Sequence, residues 1–349
     1  MASAASLSSI RLVLSNLNRN SHFDGFDDVG LFRLMDPAVA VKAAELIPKT
    51  AGQLRQDILA AVVCEFKRDG YFVEIGATDG FYLSNTLLLE REFGWRGILA
   101  EPAKYWHEAL HKNRSTIIDT RCVHAESGKT LMFSEVPADQ ALSTISEYIE
   151  GDLHSATRRT NTEYQVESIS LKDLLDANSA PHEIDLLSID TEGSEFDILQ
   201  DFDFDTYQFK LICCEHNYTP HRTSILELLR RHGYIRILDG ISQFDDWYVH
   251  ESMKTQLERV LPDWSSVSTQ EDSQSTAPLS DKDRMIRTLQ ITVENLIVER
   301  DAYKEVLEVQ TKVEMLAKDD AIRTLQETVE NLIIDRDTYR DAYVALRGE

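Results

Sequence analysis

Four acidic side chains stand where short apolar runs stop. Glu74 lies in Tyr71-Phe72-Val73-Glu74-Ile75, Glu101 follows Gly97-Ile98-Leu99-Ala100, Asp190 follows Asp185-Leu186-Leu187-Ser188-Ile189, and Glu215 follows Phe209 to Cys214. Such runs read as buried strands, and a single polar strand end has no meaning beyond contact with water. Four that end alike point to one carboxylate-lined edge, and in an open α/β sheet ligands bind beyond the carboxyl ends of the strands.

The loop from Glu74 to Gly80 has the form E-x-G-x-x-x-G. Its glycines, Gly76 and Gly80, permit a tight turn and close approach of backbone to a ligand. The helical pattern from Asn85 to Phe93 follows and turns its free amides toward that ligand. Glu101 comes 21 residues after Gly80, where a carboxylate can accept both hydroxyls of a ribose. The G-x-G-x-x-G pattern of dinucleotide sites is absent, so a pyrophosphate cofactor is the poorer fit. S-adenosyl-L-methionine carries no phosphate; it needs a loop for its amino-acid part and an acid for its ribose. Displacement at its methyl chiefly requires alignment, but an alcohol acceptor also needs a base. His216, Asp190, Glu192 and Glu215 are the candidates, His216 because imidazole titrates near neutrality. The alternative is a divalent ion, Mg²⁺ or Mn²⁺, on Asp190, Glu215 and Asn217, with His216 joining for a softer ion. His221, Arg222, Trp247 and Tyr248 are expected near the same rim, where an aromatic ring could stack on a sugar or simply pack in the core.

The elements that position these residues alternate. Strands are expected at 71–75, 97–100, 116–123, 185–189 and 209–214, with a late one at 245–249; helices at 85–93 and 223–232, the latter closed by Gly233. This predicts an α/β fold with a mostly parallel sheet covered on both faces. Residues 1–68 are helical by pattern (38–47 and 51–67), forming either a cap over the pocket or a layer on the sheet. Residues 69–262 then form the main domain.

Three stretches resemble the FkbM family of methyltransferases: Phe72 to Gly80, Ser84 to Glu90, and Gly94 to Pro102. A fourth, Ile184 to Glu195 (IDLLSIDTEGSE) with Ile198-Leu199 after it, does so too, so that the resemblance covers about residues 70–250. It implies a Rossmann-like class I methyltransferase fold and methylation of a hydroxyl on a sugar or natural product. Residue by residue, it assigns Glu74, Gly76 and Gly80 to the cofactor loop, Glu101 to the ribose, and Asp190, Glu192 and Gly193 to the fourth-strand motif. Ala77, Asp79, Asn85 and Pro102 complete the expected cofactor contacts, with His124 toward the adenine. Other readings are a small-molecule methyltransferase and an inactive domain kept as an assembly module.

The formal net charge of -24 repels phosphate backbones and anionic membranes, so neither nucleic acid nor a membrane surface is an expected partner. Cys64, Cys122, Cys213 and Cys214 form no C-x-x-C pair and read as reduced core thiols. The first residues make a poor signal peptide and no run is long enough to span a bilayer, which predicts a cytoplasmic protein. Residues 263–281 have linker composition. Beyond them Ile286-Arg287-Thr288-Leu289-Gln290 recurs 36 residues later as Ile322-Arg323-Thr324-Leu325-Gln326. The 3-4-3 apolar spacing within each copy predicts a coiled coil over 282–349 and a homo-oligomer.

Overall fold

In the computed structural model, which describes residues 26–265 apart from 27, 137–139, 150–157 and 159–160, the apolar runs form the middle of one sheet. β1 (Tyr71–Ile75), β2 (Arg96–Ala100) and β3 (Ile117–Asp119) open it. The chain then leaves to build a smaller sheet from β4 (Cys122–Val123), β5 (Thr130–Glu135), β6 (Thr144–Ile145) and β7 (Thr162–Ile169). It returns through β8 (Glu183–Ile189), β9 (Gln208–Glu215), β10 (Tyr234–Ile237) and β11 (Asp245–His250). The large sheet runs β10-β11-β9-β8-β1-β2-β3 and the smaller one β4-β7-β5-β6. The five strands from β9 to β3 pair in parallel, whereas β11 lies antiparallel to both β9 and β10.

This order has one reversal. From β1 the chain winds outward to β2 and β3, then crosses back to place β8 on the other side of β1. Such a reversal leaves a crevice beyond the carboxyl ends of the two central strands. The single strand expected at 116–123 is in fact two. Asp119 accepts from the Arg121 backbone N–H at 2.9 Å and from its guanidinium, turning the chain. β4 then pairs with β7 instead of β2.

Both faces of the large sheet are covered. On one, α1 (Asp28–Arg33), α2 (Pro37–Ala44), α3 (Gln56–Val63) and α4 (Leu87–Phe93) contribute Leu31, Ala43, Ile58 and Leu89 to a core with Phe72, Leu99, Leu186 and Trp247. α5 (His107–Asn113) adds Leu110 there. On the other face α6 (Leu171–Ala177), α7 (Glu195–Leu199) and α8 (His221–Arg231) pack Leu174, Ile198 and Leu228 against Val73, Ile98 and Leu187. α9 (Lys254–Val260) returns to the first face. The segment 28–63 is thus a layer on the sheet, and its loop at 50–56 reaches the carboxyl edge, where Gln56 Nε2 donates to Asp245 Oδ2 at 2.9 Å. All four cysteines are buried and unpaired. Among the described residues no helix is long and apolar enough to cross a membrane. Residues 1–25, the linker beyond Ser265 and the predicted coiled coil lie outside the described residues.

Arg114 ties the first strand to its loop. Its guanidinium is wholly buried and donates to Glu90 Oε2 (2.8 Å), Gly80 O (3.2 Å), Ser84 Oγ (3.0 Å) and Thr86 Oγ1 (2.8 Å), with Glu74 at 3.6 Å. Removing one partner of a buried ionic network leaves the rest uncompensated. Arg114→Met should therefore lose about 3–5 kcal/mol in denaturant unfolding, whereas Lys172→Met, at an exposed pair with Asp176, should leave the unfolding midpoint nearly unchanged.

Candidate active site

The strand register sets the site. Ile75 pairs with Ala100 and Ile189, and Ile189 with Cys214, so the residues that follow, Gly76, Glu101, Asp190 and Glu215, form the next row along the carboxyl edge. Asp245, at the start of the reversed β11, lies opposite Glu215. Gly76 meets Asp190 directly: a β-carbon at position 76 would lie 1.8 Å from the Asp190 carbonyl oxygen, and the backbone there has φ +86°. The Asp190 N–H donates to Ile75 O at 3.0 Å, and the N–H groups of Gly76 and Ala77 both reach Ala100 O, at 2.9 and 3.3 Å.

Glu101 is buried and accepts from the N–H groups of Thr78 (2.7 Å) and Ala103 (2.8 Å). Asp79 Oδ1 accepts from the N–H groups of Phe81 and Tyr82, which shapes the loop tip. Glu74, in contrast, sits one residue before Ile75, behind the loop. Its carboxylate accepts from Ser84 Oγ (3.0 Å), the Asn85 N–H (2.6 Å) and Thr86 Oγ1 (2.5 Å), so both oxygens serve the fold. Asn85 Nδ2 donates to Ser188 Oγ at 2.9 Å, while its Oδ1 is buried without a partner. Pro102 follows Glu101 at the half-buried rim. His124, after β4, has its Nε2 3.2 Å from the Tyr148 hydroxyl, which in turn bonds Asp197.

Asp190, Glu192 and Glu215 bring carboxylate oxygens within 4.8 Å of one another. Asp190 and Glu215 face each other, and burial is the first cause that raises both, Asp190 to about 6 and Glu215 well above the ordinary carboxylate range. Burial likewise raises Glu101 to about 7 and Asp245 to about 7. At the opposite edge of the sheet Asp185 is paired with Lys67 and Lys210, and those bonds hold its carboxyl below the ordinary range despite burial. Burial also raises Glu74 and Asp57 inside the fold, but four raised carboxyls stand together at the carboxyl edge, where perturbed acids mark a candidate site. Thr78, Glu192, Asn217 and Tyr218, on the loops after β1, β8 and β9, are among the residues with positive φ.

The divalent-ion set is altered by this geometry. Glu192 joins Asp190 and Glu215 as a third carboxylate near enough to share an ion, and Asn217 donates its Nδ2 to Glu192 Oε2 at 3.3 Å. Arg158 already neutralises Glu192, with Nη2 at 2.5 Å from Oε2. A cation bound through Glu192 would have to compete with that guanidinium.

His216 is not placed as a base. Its Nδ1 accepts from the Tyr218 N–H at 2.9 Å, which puts the ring proton on Nε2, and Nε2 lies 3.8 Å from Asp246. Burial pushes its pKa down to about 4. Arg222 forms a two-pronged pair with the same Asp246, at 2.9 and 2.7 Å. His221 packs against Phe196, and Trp247 and Tyr248 are fully buried core residues, unable to stack on a sugar.

The residues missed by sequence reasoning are Arg158, Thr144 and Tyr148 from the excursion through the smaller sheet, together with Gln56 and Asp245. Thr144 Oγ1 donates to the carbonyls of Thr191 (3.2 Å) and Glu192 (3.1 Å), and Tyr148 Cβ lies 3.0 Å from where a Gly193 β-carbon would stand. Only Asp245 carried a signal, as the polar start of a predicted strand. A cavity of about 460 Å³ beside β10, lined by Arg230, Tyr234, Glu251 and Trp264 among others, includes none of these residues.

Comparison with known proteins agrees with the resemblance read from the sequence. Residues 74–236 match the family described as Methyltransferase FkbM domain. A precorrin-6y C5,15-methyltransferase from Geobacter metallireducens GS-15 is similar in structure at 10% identity, over 58% of this chain and 89% of that one, with a TM-score of 0.30. No curated protein matches the sequence.

The raised carboxyls set the sign of a pH effect. Glu101 and Asp245 keep protons in the folded state, up to about 7, that the unfolded chain has already lost, so stability falls as pH rises through that window. His216 acts the other way only below 6.5, its ordinary value. Between about pH 6.5 and 7.5 the ligand-free protein should lose about 1–2 kcal/mol in denaturant unfolding. Glu101→Gln should remove part of that slope.

Proposed function

For a chain whose residues 74–236 match the Methyltransferase FkbM domain family, we propose an S-adenosylmethionine-dependent O-methyltransferase acting on a hydroxyl of a glycan, sugar or related metabolite. The observation that carries the reading is the row Gly76, Glu101 and Asp190 across the switch point of the sheet. The strand order, with β11 reversed beside its edge, supports a class I methyltransferase fold.

The residues fit the cofactor. Gly76 leaves a cradle that any β-carbon would fill, and the buried, unpartnered Asn85 Oδ1 is an acceptor suited to an ammonium group. Glu101 would accept ribose hydroxyls, with Ala77, Asp79 and Gly80 shaping the loop, and Pro102 and His124 would serve the adenine side. Glu74 contributes by fixing the loop from behind. Adenosylmethionine, when bound, would supply a methyl on a sulfonium already activated for displacement by the acceptor oxygen. Asp190 would take the proton of the acceptor hydroxyl, and Glu192 would orient that hydroxyl. Asp190 suits the task because burial holds its pKa near the working range without neutralising it outright. A metal is not needed for these steps.

Residues 282–349 are proposed to assemble the enzyme as a homo-oligomer through the coiled coil, in the cytoplasm. The strong negative charge favours uncharged or cationic acceptors over nucleic acid.

The test is transfer of labelled methyl to a panel of methyl glycosides and oligosaccharides, with calorimetry of adenosylhomocysteine alongside. Glu101→Gln should weaken adenosylhomocysteine binding about 10–100-fold, since a ribose contact to a charged acceptor is worth about 1.5–3 kcal/mol. Asp190→Asn should keep that affinity within a few-fold but lower kcat about 10²–10⁴-fold. Unchanged affinity in Glu101→Gln would sink the site assignment.

A further inference from the structure

Arg158 reaches the reaction edge from the excursion between β6 and β7. It has 0% exposed surface, donates from Nη2 to Glu192 Oε2 at 2.5 Å and from Nε to Leu142 O at 2.8 Å. Thr144, from the same excursion, holds the Thr191 and Glu192 carbonyls. The excursion therefore grips both the backbone and the carboxylate of Glu192. That grip opposes two costs. Glu192 has φ 61°, a left-handed backbone unfavourable for a non-glycine residue, and its buried carboxylate shares a small space with Asp190 and Glu215. Without a cation beside it, a buried carboxylate turns to water or takes a proton.

We propose that Arg158 is a positioning residue for methyl transfer: its guanidinium fixes the Glu192 carboxylate beside Asp190, where that carboxylate aligns the acceptor hydroxyl. The inference rests on the transferase reading above. Arg114 makes the contrast. It is equally buried, yet its bonds go to Glu90, Ser84, Thr86 and a loop carbonyl, all groups that build the fold. Arg158 instead meets an acid at the edge where the carboxyls are held high. Its second bond, to Leu142 O, fixes the guanidinium plane, so its aim at Glu192 is set before any acceptor arrives.

The experiment uses full-length Arg158→Lys, Arg158→Met, Glu192→Gln and the Arg158→Met/Glu192→Gln double variant. Melting temperature and adenosylhomocysteine affinity need no acceptor. Arg158→Met should melt lower, the added Glu192→Gln should recover at least about half of the loss, and affinity should stay within about threefold throughout. With the acceptor that turns over, Arg158→Met should lower kcat about 100-fold with acceptor KM within about threefold, Arg158→Lys should recover part of it, and the double variant should be no slower than Glu192→Gln. Melting losses that add would show that Arg158 does not act through Glu192, and a lower melting point with normal kcat in the folded fraction would show a purely structural role; either result overturns the proposal. Adenosylhomocysteine binding without turnover of any acceptor by the native enzyme would count against the transferase reading instead, and the melting cycle would still decide whether Arg158 acts through Glu192.

Discussion

The carbonyl oxygen of Asp190 stands where a β-carbon on residue 76 would have to be. That contact fixes how closely the β1 and β8 strand ends approach, and the rest of the site follows from it. With Gly76 against Asp190, the loop to Gly80 must rise from the sheet at once, which carries Thr78 to the Glu101 carboxylate. The same approach leaves Asp190 the first residue free of the sheet on β8, beside Glu215 on β9. One missing side chain thus lets three carboxylates and a backbone cradle share the crevice that the strand order opens.

The buried charges divide by role. Glu74 with Arg114 and Asp185 with Lys67 and Lys210 are matched pairs inside the fold, each acid surrounded by its donors. Along the carboxyl edge Glu101, Glu215 and Asp245 are buried with no ion pair, and desolvation holds them high; Asp190, less enclosed, is raised too, as is Glu74 despite Arg114. Unpaired buried acids cost stability, and a fold that carries three on one edge has placed that cost where ribose hydroxyls and an acceptor can use it. Glu192 lies between the two groups: at the reaction edge, but matched by Arg158.

The central strands were legible because each is an apolar run with an abrupt polar end, a local signal. The order of the acids along the edge followed from it, apart from Glu74, whose type suggested a ligand contact but whose position before Ile75 turns it behind the loop. The smaller sheet was not legible. β5 and β7 carry half-exposed polar residues and pair across thirty residues, and β4 has only two residues, so no periodicity marks them. Arg114 and Arg158 were invisible for the same reason: their partners lie far along the chain, and an arginine's type alone does not say whether water or a carboxylate receives it. His216 misled by its chemistry. An imidazole looks like a base until its Nδ1 is seen to be spent on a backbone N–H two residues on.

The most direct test is calorimetric titration of adenosylhomocysteine into the native chain and into Gly76→Ala, with far-UV circular dichroism to confirm that both are folded. A methyl at position 76 must push β1's loop off the Asp190 carbonyl and out of the cradle. The account predicts binding by the native chain and no measurable binding by a folded Gly76→Ala. Equal affinity in the two would contradict it.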